Sequence, residues 1–435
     1  MIPLHPTPRF DRPCPRCGAE VAAGGWLIPG MRMLADVRCS GCGMEFHADL
    51  AAGHGLYYPV FLEKESGRVH ASGIGKWFAS LLESSWRARS SERIPIEIER
   101  FREVERPLLL NCLDWQYGHA LLKLFNAQYH LEHDRDHDLI VLVPKFLRWL
   151  VPDGVSEVWT VDLPLRRAAE WNDALAAGLR ERLGSFDAAH LSLAVPHPHP
   201  ADWDVVRFSR VAPFPFDEWH RREPLVTFIW REDRLWSDER AFRMRDRLFF
   251  AARHRLASPA AGLDRQARLV EELASEIRTR VPNASFAVAG IGTPRAFSPA
   301  IENRIVSSVD TATERAWCEL YARSHVVTGI HGSNMILPSA HAGSVIDLMP
   351  PARWTNLRQD VETGERDPSL VPLRAIYLAT ETRPATIADL IRALLLHAPA
   401  GALNFDRHWT DHQRLRRDPD ALRREKLART PEPRP

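Results

Sequence analysis

The sequence predicts an α/β protein with two Rossmann-like domains that follow a small N-terminal zinc ribbon. Three observations support this fold class. Short apolar runs alternate with helical patterns through most of the chain, as in parallel sheets. One stretch, Val326–Pro350, is typical of a strand, a tight turn, a helix and a second strand. Two CxxC pairs stand near the N-terminus. We expect a ribbon at 1–60, domains at 61–220 and 221–400, and a polar helix and tail at 401–435.

Composition narrows the class of protein further. The 435 residues are 45% apolar and 26% charged, which is ordinary for globular domains. The net charge of +1 gives no electrostatic reason to expect a nucleic-acid partner. No apolar run is long enough to span a membrane, and the first residues lack a signal-peptide pattern. Paired cysteines favour metal binding in a reducing compartment, so a cytoplasmic location is expected.

The N-terminal ribbon is predicted from the spacing of four cysteines. Each CxxC pair can bend around one ion, and glycines at 18, 41 and 43 allow the tight turns. Four thiolates form the closed tetrahedral site of structural zinc. The alternative is a ribbon that has kept its cysteines without the metal. His47 and His54 are expected at the surface because the thiolates already complete the site. The predicted ligands are Cys14, Cys17, Cys39 and Cys42.

The first Rossmann-like domain is predicted from an apolar strand at 107–112 and a polar turn after it. A helix from His119 to His130 follows, and further strands are expected at 139–143 and 155–161. Asp114 and His119 are candidates for a general base, and histidine suits that role because its pKa lies near neutrality. A structural hydrogen bond at a helix N-terminus is an equal alternative for His119. The proline-rich stretch 191–222 is a plausible linker.

The second Rossmann-like domain begins with a predicted strand at 224–230, which Arg231 and Arg234 follow. An amphipathic helix is expected at 266–281, and a strand at 284–290 ends in Gly290-Ile-Gly292. These two glycines would allow a ligand to approach the backbone closely. A strand is expected at 305–309, and Thr311 with Glu314 then form a capping box at the start of a helix.

The stretch Val326–Pro350 carries the main functional prediction. A buried strand at 326–330 leads directly into His331-Gly332-Ser333-Asn334, which we call the HGSN corner. A helix from Met335 to Ala342 and a strand at 345–348 follow. Backbone N–H groups at a helix N-terminus bind phosphate, and ligands of open α/β sheets bind at the carboxyl ends of the strands. The alternative is an ordinary turn in which His331 is a packed residue.

The HGSN corner and the strand after it resemble the signature of family 61 glycosyltransferases, and they are similar to the same segment of fucosyltransferase-like enzymes. Ser333 replaces the usual alanine, and Asp347 replaces the usual glutamate. The resemblance implies a GT-B fold, in which two Rossmann-like domains face each other across a cleft. It also implies that Arg231 faces a nucleotide-sugar, with Arg234 as a second candidate. Glu314 is either a helix cap or a contact to the ribose.

The function that this resemblance implies is transfer of a hexose or deoxyhexose from a nucleotide-sugar donor to a hydroxyl group. Inversion at the sugar and chemistry without a divalent metal are expected. The acceptor would be a glycan, a lipid-linked molecule or a protein. The rival hypothesis is a non-catalytic module that binds ligands or proteins through its ribbon and Rossmann-like domains. The 14 tryptophans include candidates for stacking on sugars or bases, although most tryptophans lie in cores.

Overall fold

The structure is a computed structural model that describes residues 1–71, 75–236, 259–357, 359–363 and 371–396. The chain divides into two compact units. Unit 1 comprises Met1–Arg210 with Asp310–Ala312, and unit 2 comprises Val211–Val309 with the described residues from Thr313 onward. The Arg-rich segment 241–257, which the sequence predicts as an amphipathic helix or loop, and the polar helix expected after residue 400 lie outside the described residues.

An antiparallel sheet forms the N-terminal part of unit 1. Its strands pair in chain order, each with the next. The sheet packs on two helices of the same unit through Leu27, Leu62 and Leu82. Its strands are β2 (Val21–Leu27), β3 (Leu34–Cys39), β4 (Glu45–Asp49), β5 (Phe61–Glu63) and β6 (Val69–His70). The residues between the two CxxC pairs therefore supply the expected hairpin.

The second sheet of unit 1 has the order β1-β11-β8-β9-β10-β7. Its four central strands are parallel, and the outer strands β1 and β7 run antiparallel to their neighbours. The strands are β1 (Ile2–Pro3), β7 (Ile96–Arg100), β8 (Pro107–Asn111), β9 (Asp138–Pro144), β10 (Glu157–Val161) and β11 (His190–Leu191). The chain crosses from one side of β8 to the other between β10 and β11, so the strand order reverses beside β8.

The helices of unit 1 follow patterns that the sequence makes visible. The Asn172 side chain accepts from Leu175 N, and the Asp204 side chain accepts from Val206 N, so each caps the helix that it precedes. Within the described part of this unit, the helices are α1 (Lys76–Arg87), α2 (Tyr117–His133), α3 (Asp173–Leu183) and α4 (Val205–Ser209).

Unit 2 is built on a six-stranded sheet in which every pairing is parallel. Numbered from its first strand, the sheet has the order 3-2-1-4-5-6. This is the doubly wound order of a Rossmann sheet, and it reverses between the first and fourth strands. The strands are β12 (Leu225–Trp230), β13 (Ser285–Ile291), β14 (Ile301–Val306), β15 (Val326–Ile330), β16 (Ser344–Met349) and β17 (Ala375–Ala379).

Helices cover both faces of this sheet. One face packs on Val270, Leu273 and Ile391, and the other packs on Trp317 and Leu320. The helices are α5 (Pro259–Arg280), α6 (Thr311–Arg323), α7 (Ile336–His341), α8 (Val371–Arg374) and α9, which covers residues 384–396. No described helix is long and apolar enough to cross a membrane.

The expected mixed α/β architecture with parallel sheets is confirmed, and two local expectations need correction. Strand β14 begins at Ile301 and ends at Val306, instead of covering 305–309. The apolar pattern missed its first half because the central residues are polar and exposed at the sheet edge. Part of the proline-rich stretch 191–222 also belongs to a core. Phe214 and Trp219 are buried in unit 2, and the boundary between the units falls at Arg210.

Candidate functional site

The four cysteines of the ribbon form a cluster with the dimensions of a tetrahedral metal site. The Sγ atoms of Cys14 and Cys42 are 3.8 Å apart, and those of Cys17 and Cys39 are 3.4 Å apart. Zinc–sulfur bonds of about 2.3 Å require sulfur–sulfur edges of about 3.8 Å. All four thiols are free of disulfides. The cluster therefore fits a metal ion, as the spacing predicts, and the identity of that ion remains a prediction.

Local backbone geometry explains why each CxxC pair closes. Gly18 and Gly43 directly follow the second cysteine of their pairs, and both have positive φ, which glycine adopts without strain. The N–H of Cys42 donates to Cys39 Sγ. Backbone N–H donors lower the pKa of Cys39 to about 6, whereas the pKa of the neighbouring Cys17 is raised to about 12, so Cys39 is the thiolate of this pair.

In unit 2, the predicted ligand site lies where the strand order reverses, and Arg231 and His331 are its first residues in the two adjacent segments. β12 ends at Trp230 and β15 ends at Ile330, so Arg231 and His331 leave neighbouring strands at the same sheet edge. Rossmann sheets bind their ligands at this position. The structure therefore brings Arg231, Arg234 and the HGSN corner together, although about 100 residues separate them in sequence.

Arg231 joins the two strand ends through hydrogen bonds. Its Nη1 donates to His331 O at 3.0 Å and to Asn334 Oδ1 at 2.6 Å. Its Nε and Nη2 donate to both carboxylate oxygens of Asp233. The side chain is only 11% exposed. Arg231 thus holds the corner in place with most of its donors already engaged.

Arg234 has more donors left for a ligand. Its one hydrogen bond within the described part of the chain goes from Nη1 to His331 O at 2.7 Å. Burial lowers the pKa of Arg234, and the charges of Arg231 and Arg353 lower it further. Three guanidinium groups therefore repel one another at this edge, and the nearby carboxylates are Asp233 and Asp360. An anion bound among them would relieve that repulsion.

The side chain of His331 lies behind the corner instead of at its surface. It is fully buried, and its Nδ1 lies 2.6 Å from Asp347 Oδ2. Its Nε2 lies 3.4 Å from Asp360 Oδ2. His331 consequently fixes the carbonyl that accepts from both arginines. Burial raises the pKa of Asp347 and raises that of Glu362 to about 9, with Asp360 adding to both shifts.

Gly332 is the residue that makes the close approach of the arginines possible. Its φ is +152°, and a Cβ atom at this position would collide with Arg231 Nη1 and approach Arg234 Nη1 to 2.8 Å. No other residue type fits both the conformation and the space. Ser333 and Asn334 are half-buried in the next turn, and the helix α7 that follows has only six residues. The arginines are therefore a larger source of positive charge than the helix dipole.

The remaining candidates in unit 2 have neighbours within the chain. A Cβ atom on Gly290 would collide with the Trp230 backbone, and one on Gly292 would lie 2.7 Å from Glu232 Oε1. These glycines thus allow strands and side chains to pack, whatever further role they have toward a ligand. Glu314 lies half-buried in the first turn of α6, consistent with either of its expected roles.

In unit 1, the candidate bases also lie where the strand order reverses. Asp114 and His119 follow β8, and His197 follows β11, the strand beside it. Asp114 is fully buried, and its Oδ2 is 2.7 Å from both Lys123 Nζ and His54 Nε2. His119 Nδ1 lies 3.6 Å from Asp114 Oδ1, and the His119 ring packs edge-on against His197. We call these five residues the Asp114 cluster.

The charges of the Asp114 cluster are balanced internally. Burial alone would raise the pKa of Asp114, but Lys123 and His54 outweigh it and hold that pKa well below its usual value. Burial lowers the pKa of His54 to about 4. Lys123 and Asp114 therefore form a buried ion pair, and His54 is neutral at pH 7.

A metal ion is a second chemical possibility at this cluster. Ligand atoms of His54, Asp114 and His119 all lie within 4.8 Å of one another. The ammonium group of Lys123 argues against a cation because it already occupies Asp114 and would repel a second positive charge. The arrangement favours an ion-paired and hydrogen-bonded network of Asp114, Lys123 and His54. His119, which is 17% exposed, and the exposed His197 lie at its edge.

The cluster contains residues that the sequence did not reveal. The expectation that His54 lies at the surface was wrong, because the side chain packs on Phe78 and bonds Asp114. Likewise, His47 is only partly exposed and pairs with Asp36. Lys123 gave a weak signal, as a lysine among apolar residues of a helix. Nothing in the sequence linked His197 to His119.

Comparisons with known proteins yield fold-level neighbours alone. No family model matches the chain, and no curated protein matches it. Among solved structures, a UDP-N-acetylglucosamine 2-epimerase from Listeria monocytogenes is 11% identical over 68% of this chain and 89% of its own, with a TM-score of 0.30. The forosaminyltransferase SpnP is 11% identical over 69% and 92% of the two chains, with a TM-score of 0.35.

A third neighbour is the iron-containing dodecameric glycosyltransferase TibC from enterotoxigenic E. coli. It is 9% identical over 73% of this chain and 64% of its own, with a TM-score of 0.27. TM-scores at this level carry no argument about activity.

Proposed function

We propose that the chain is a GT-B glycosyltransferase that moves a sugar from a nucleotide-sugar to a hydroxyl acceptor. The observation that carries this proposal is the group of arginines at the switch point of the 3-2-1-4-5-6 sheet. A diphosphate at that position would meet the spare donors of Arg234 and the positive charge of Arg231. The resemblance of the HGSN corner to family 61 glycosyltransferases points to the same ligand class.

In the proposed reaction, a histidine acts as the base and the arginines at the HGSN corner bind the donor. His119 takes the proton of the acceptor hydroxyl, and Asp114 orients its ring. The acceptor oxygen forms a bond to the anomeric carbon while the bond from that carbon to the diphosphate oxygen breaks. The diphosphate leaves with the electron pair, and Arg234 with Arg231 stabilises its charge. Direct displacement of this kind inverts the anomeric centre, and the guanidinium charges take the place of a divalent metal.

A binding screen followed by turnover tests this proposal. Thermal-shift measurements with a panel of nucleoside diphosphates and nucleotide-sugars identify the donor class. Hydrolysis or transfer of the best nucleotide-sugar then separates an enzyme from a binding module. We expect His119→Ala to reduce kcat by about 10²- to 10⁴-fold with little change in donor affinity. Arg231→Ala is expected to abolish activity.

Two results would contradict the proposal. Binding of nucleotide-sugars without any turnover would support the non-catalytic module instead. Full activity of Arg231→Ala would remove the HGSN corner from the mechanism. Exchange of Arg304, an exposed residue paired with Glu302 on β14, controls for the general loss of a positive charge from unit 2.

A further inference from the structure

Two tryptophans flank the Asp114 cluster of unit 1. Trp115 directly follows Asp114, and its ring centre lies 5.2 Å from that of Trp77 at an interplanar angle of 48°. The neighbouring Phe78 ring lies 4.6 Å from the His54 ring. The indole pair and the histidines therefore form one continuous set of side chains at the carboxyl end of β8.

The indole pair has features of a binding surface instead of a core. Trp77 is 47% exposed, whereas Phe78 beside it on α1 is buried. Trp115 Nε1 is buried and finds no acceptor among the described residues. A buried indole N–H normally has a partner, so its absence marks a place for an oxygen atom from a ligand. One flat apolar face and one vacant donor suit a ligand with an apolar face and hydroxyl groups at its edge.

The charge of the neighbouring cluster restricts the ligand further. Lys123 and Asp114 neutralise each other, and His54 is uncharged at pH 7. These three residues together therefore offer no net charge to a phosphate or a carboxylate. A neutral molecule that exposes hydroxyl groups is the better complement.

We propose that Trp77 and Trp115 form a platform for a pyranose ring, so that the acceptor is a neutral saccharide and not a lipid or a protein chain. This inference rests on the proposed function because it assigns the acceptor of that reaction. A pyranose presents C–H groups on one face and hydroxyls around its rim. Its face would stack on Trp77, a rim oxygen would accept from Trp115 Nε1, and another hydroxyl would meet His119.

Saturation-transfer NMR on the full chain tests the platform directly. The probes are the methyl β-glycosides of glucose, galactose and N-acetylglucosamine, with octanol as an apolar control. We expect ring-proton signals from at least one glycoside. Trp77→Ala should weaken them about fivefold or more, the effect of losing a stacking contact. Tyr129→Ala, which removes an aromatic residue 54% exposed elsewhere on unit 1, should leave them unchanged.

Two further variants separate stacking from hydrogen bonding and from misfolding. Trp115→Phe keeps an aromatic ring without the N–H donor, so a threefold weakening is expected from the loss of about one neutral hydrogen bond. Trp77→Phe should fall between the wild type and Trp77→Ala, and it serves as the test if the alanine variant fails to fold.

Three outcomes would overturn the platform. No glycoside produces a signal with the wild type, the signal is unchanged in Trp77→Ala, or only octanol binds and does so through Trp77. Turnover of nucleotide-sugars by the wild type, through hydrolysis or through transfer to a glycoside, is measured separately. Glycoside binding without either reaction would contradict the proposed function and keep the platform. Turnover without glycoside binding would do the reverse.

Discussion

Each of the two strand-order reversals of this chain contains a histidine–aspartate pair, but the pKa of the aspartate is shifted in opposite directions in the two pairs. In unit 1, His54 binds Asp114 at 2.7 Å, and in unit 2, His331 binds Asp347 at 2.6 Å. Asp114 has Lys123 as a buried counterion, which holds the pKa of Asp114 low. Asp347 lacks such a lysine among its described neighbours, and its pKa is raised by burial.

The difference lies in where each unit keeps its positive charge. The lysine of unit 1 is buried against the carboxylate that it neutralises. In unit 2, the guanidinium of Arg234 binds a main-chain carbonyl, which carries no net charge to cancel it. The first site is therefore suited to a neutral ligand, and the second is suited to an anion.

Metal removal should affect unit 1 far more than unit 2. The protein purified without added metal is expected to contain about one zinc ion per chain by elemental analysis. Chelation should abolish amide-exchange protection across 14–49, because a small cysteine-bound sheet depends on its metal for folding. Protection of β12 and β15 should persist. A metal-free protein, or unchanged protection after chelation, would contradict the zinc assignment.

Loss of the buried lysine should destabilise the chain strongly. Lys123→Met leaves Asp114 charged and uncompensated, which is expected to cost about 3–5 kcal/mol of unfolding free energy. Urea unfolding monitored by circular dichroism measures the loss. The double variant with Asp114→Asn should recover much of it. Lys145→Met removes an exposed pair with Asp162 and should cost less than about 1 kcal/mol. Equal losses of unfolding free energy in the two lysine variants would refute the claim that Lys123 neutralises the buried Asp114.

A side chain at position 332 should disrupt the cationic corner. Gly332→Ala is expected to cost about 1–3 kcal/mol because alanine disfavours the observed φ and its Cβ displaces Arg231. Binding of a nucleoside diphosphate should weaken in parallel. Gly24→Ala is the matched control, since a Cβ at Gly24 has open space around it. Thermal unfolding distinguishes the two variants, and similar losses in both would argue against the special role of Gly332.

The buried acids of unit 2 predict a pH dependence. The pKa of Glu362 is raised to about 9 by burial and by Asp360, so the folded state holds a proton that the unfolded state loses above pH 4.5. Its contribution to stability therefore falls as the pH rises from 4.5 toward 9, by up to about 1.4 kcal/mol per pH unit. Glu362→Gln should flatten this slope in urea unfolding between pH 6 and 8.5. An unaltered slope would show that Glu362 is ionised in the folded protein.

The sequence allowed the prediction of those features that depend on local patterns. Runs such as Val326–Ile330 identified buried strands, and cysteine spacing identified the ribbon. The polar turn after β15 placed the HGSN corner at a strand end. The contacts that decide the chemistry are non-local. In the sequence, Lys123 is one charged residue on an otherwise apolar helix. Only the fold brings it together with His54 and His197 in the Asp114 cluster. Asp233 accepts two hydrogen bonds from Arg231, so Arg231 has fewer free donors than Arg234. This difference likewise depends on side-chain geometry, which the sequence does not show.

Calorimetric binding of inorganic pyrophosphate to the full chain tests directly whether the HGSN corner is an anion site. We expect the wild type to bind it with an affinity that falls as salt is added. Arg234→Ala should bind at least about tenfold more weakly, the effect of one lost charge-assisted hydrogen bond, while Arg304→Ala binds as the wild type does. Absence of binding, or equal affinities for the Arg234→Ala variant and the wild type, would contradict an anion site at the HGSN corner.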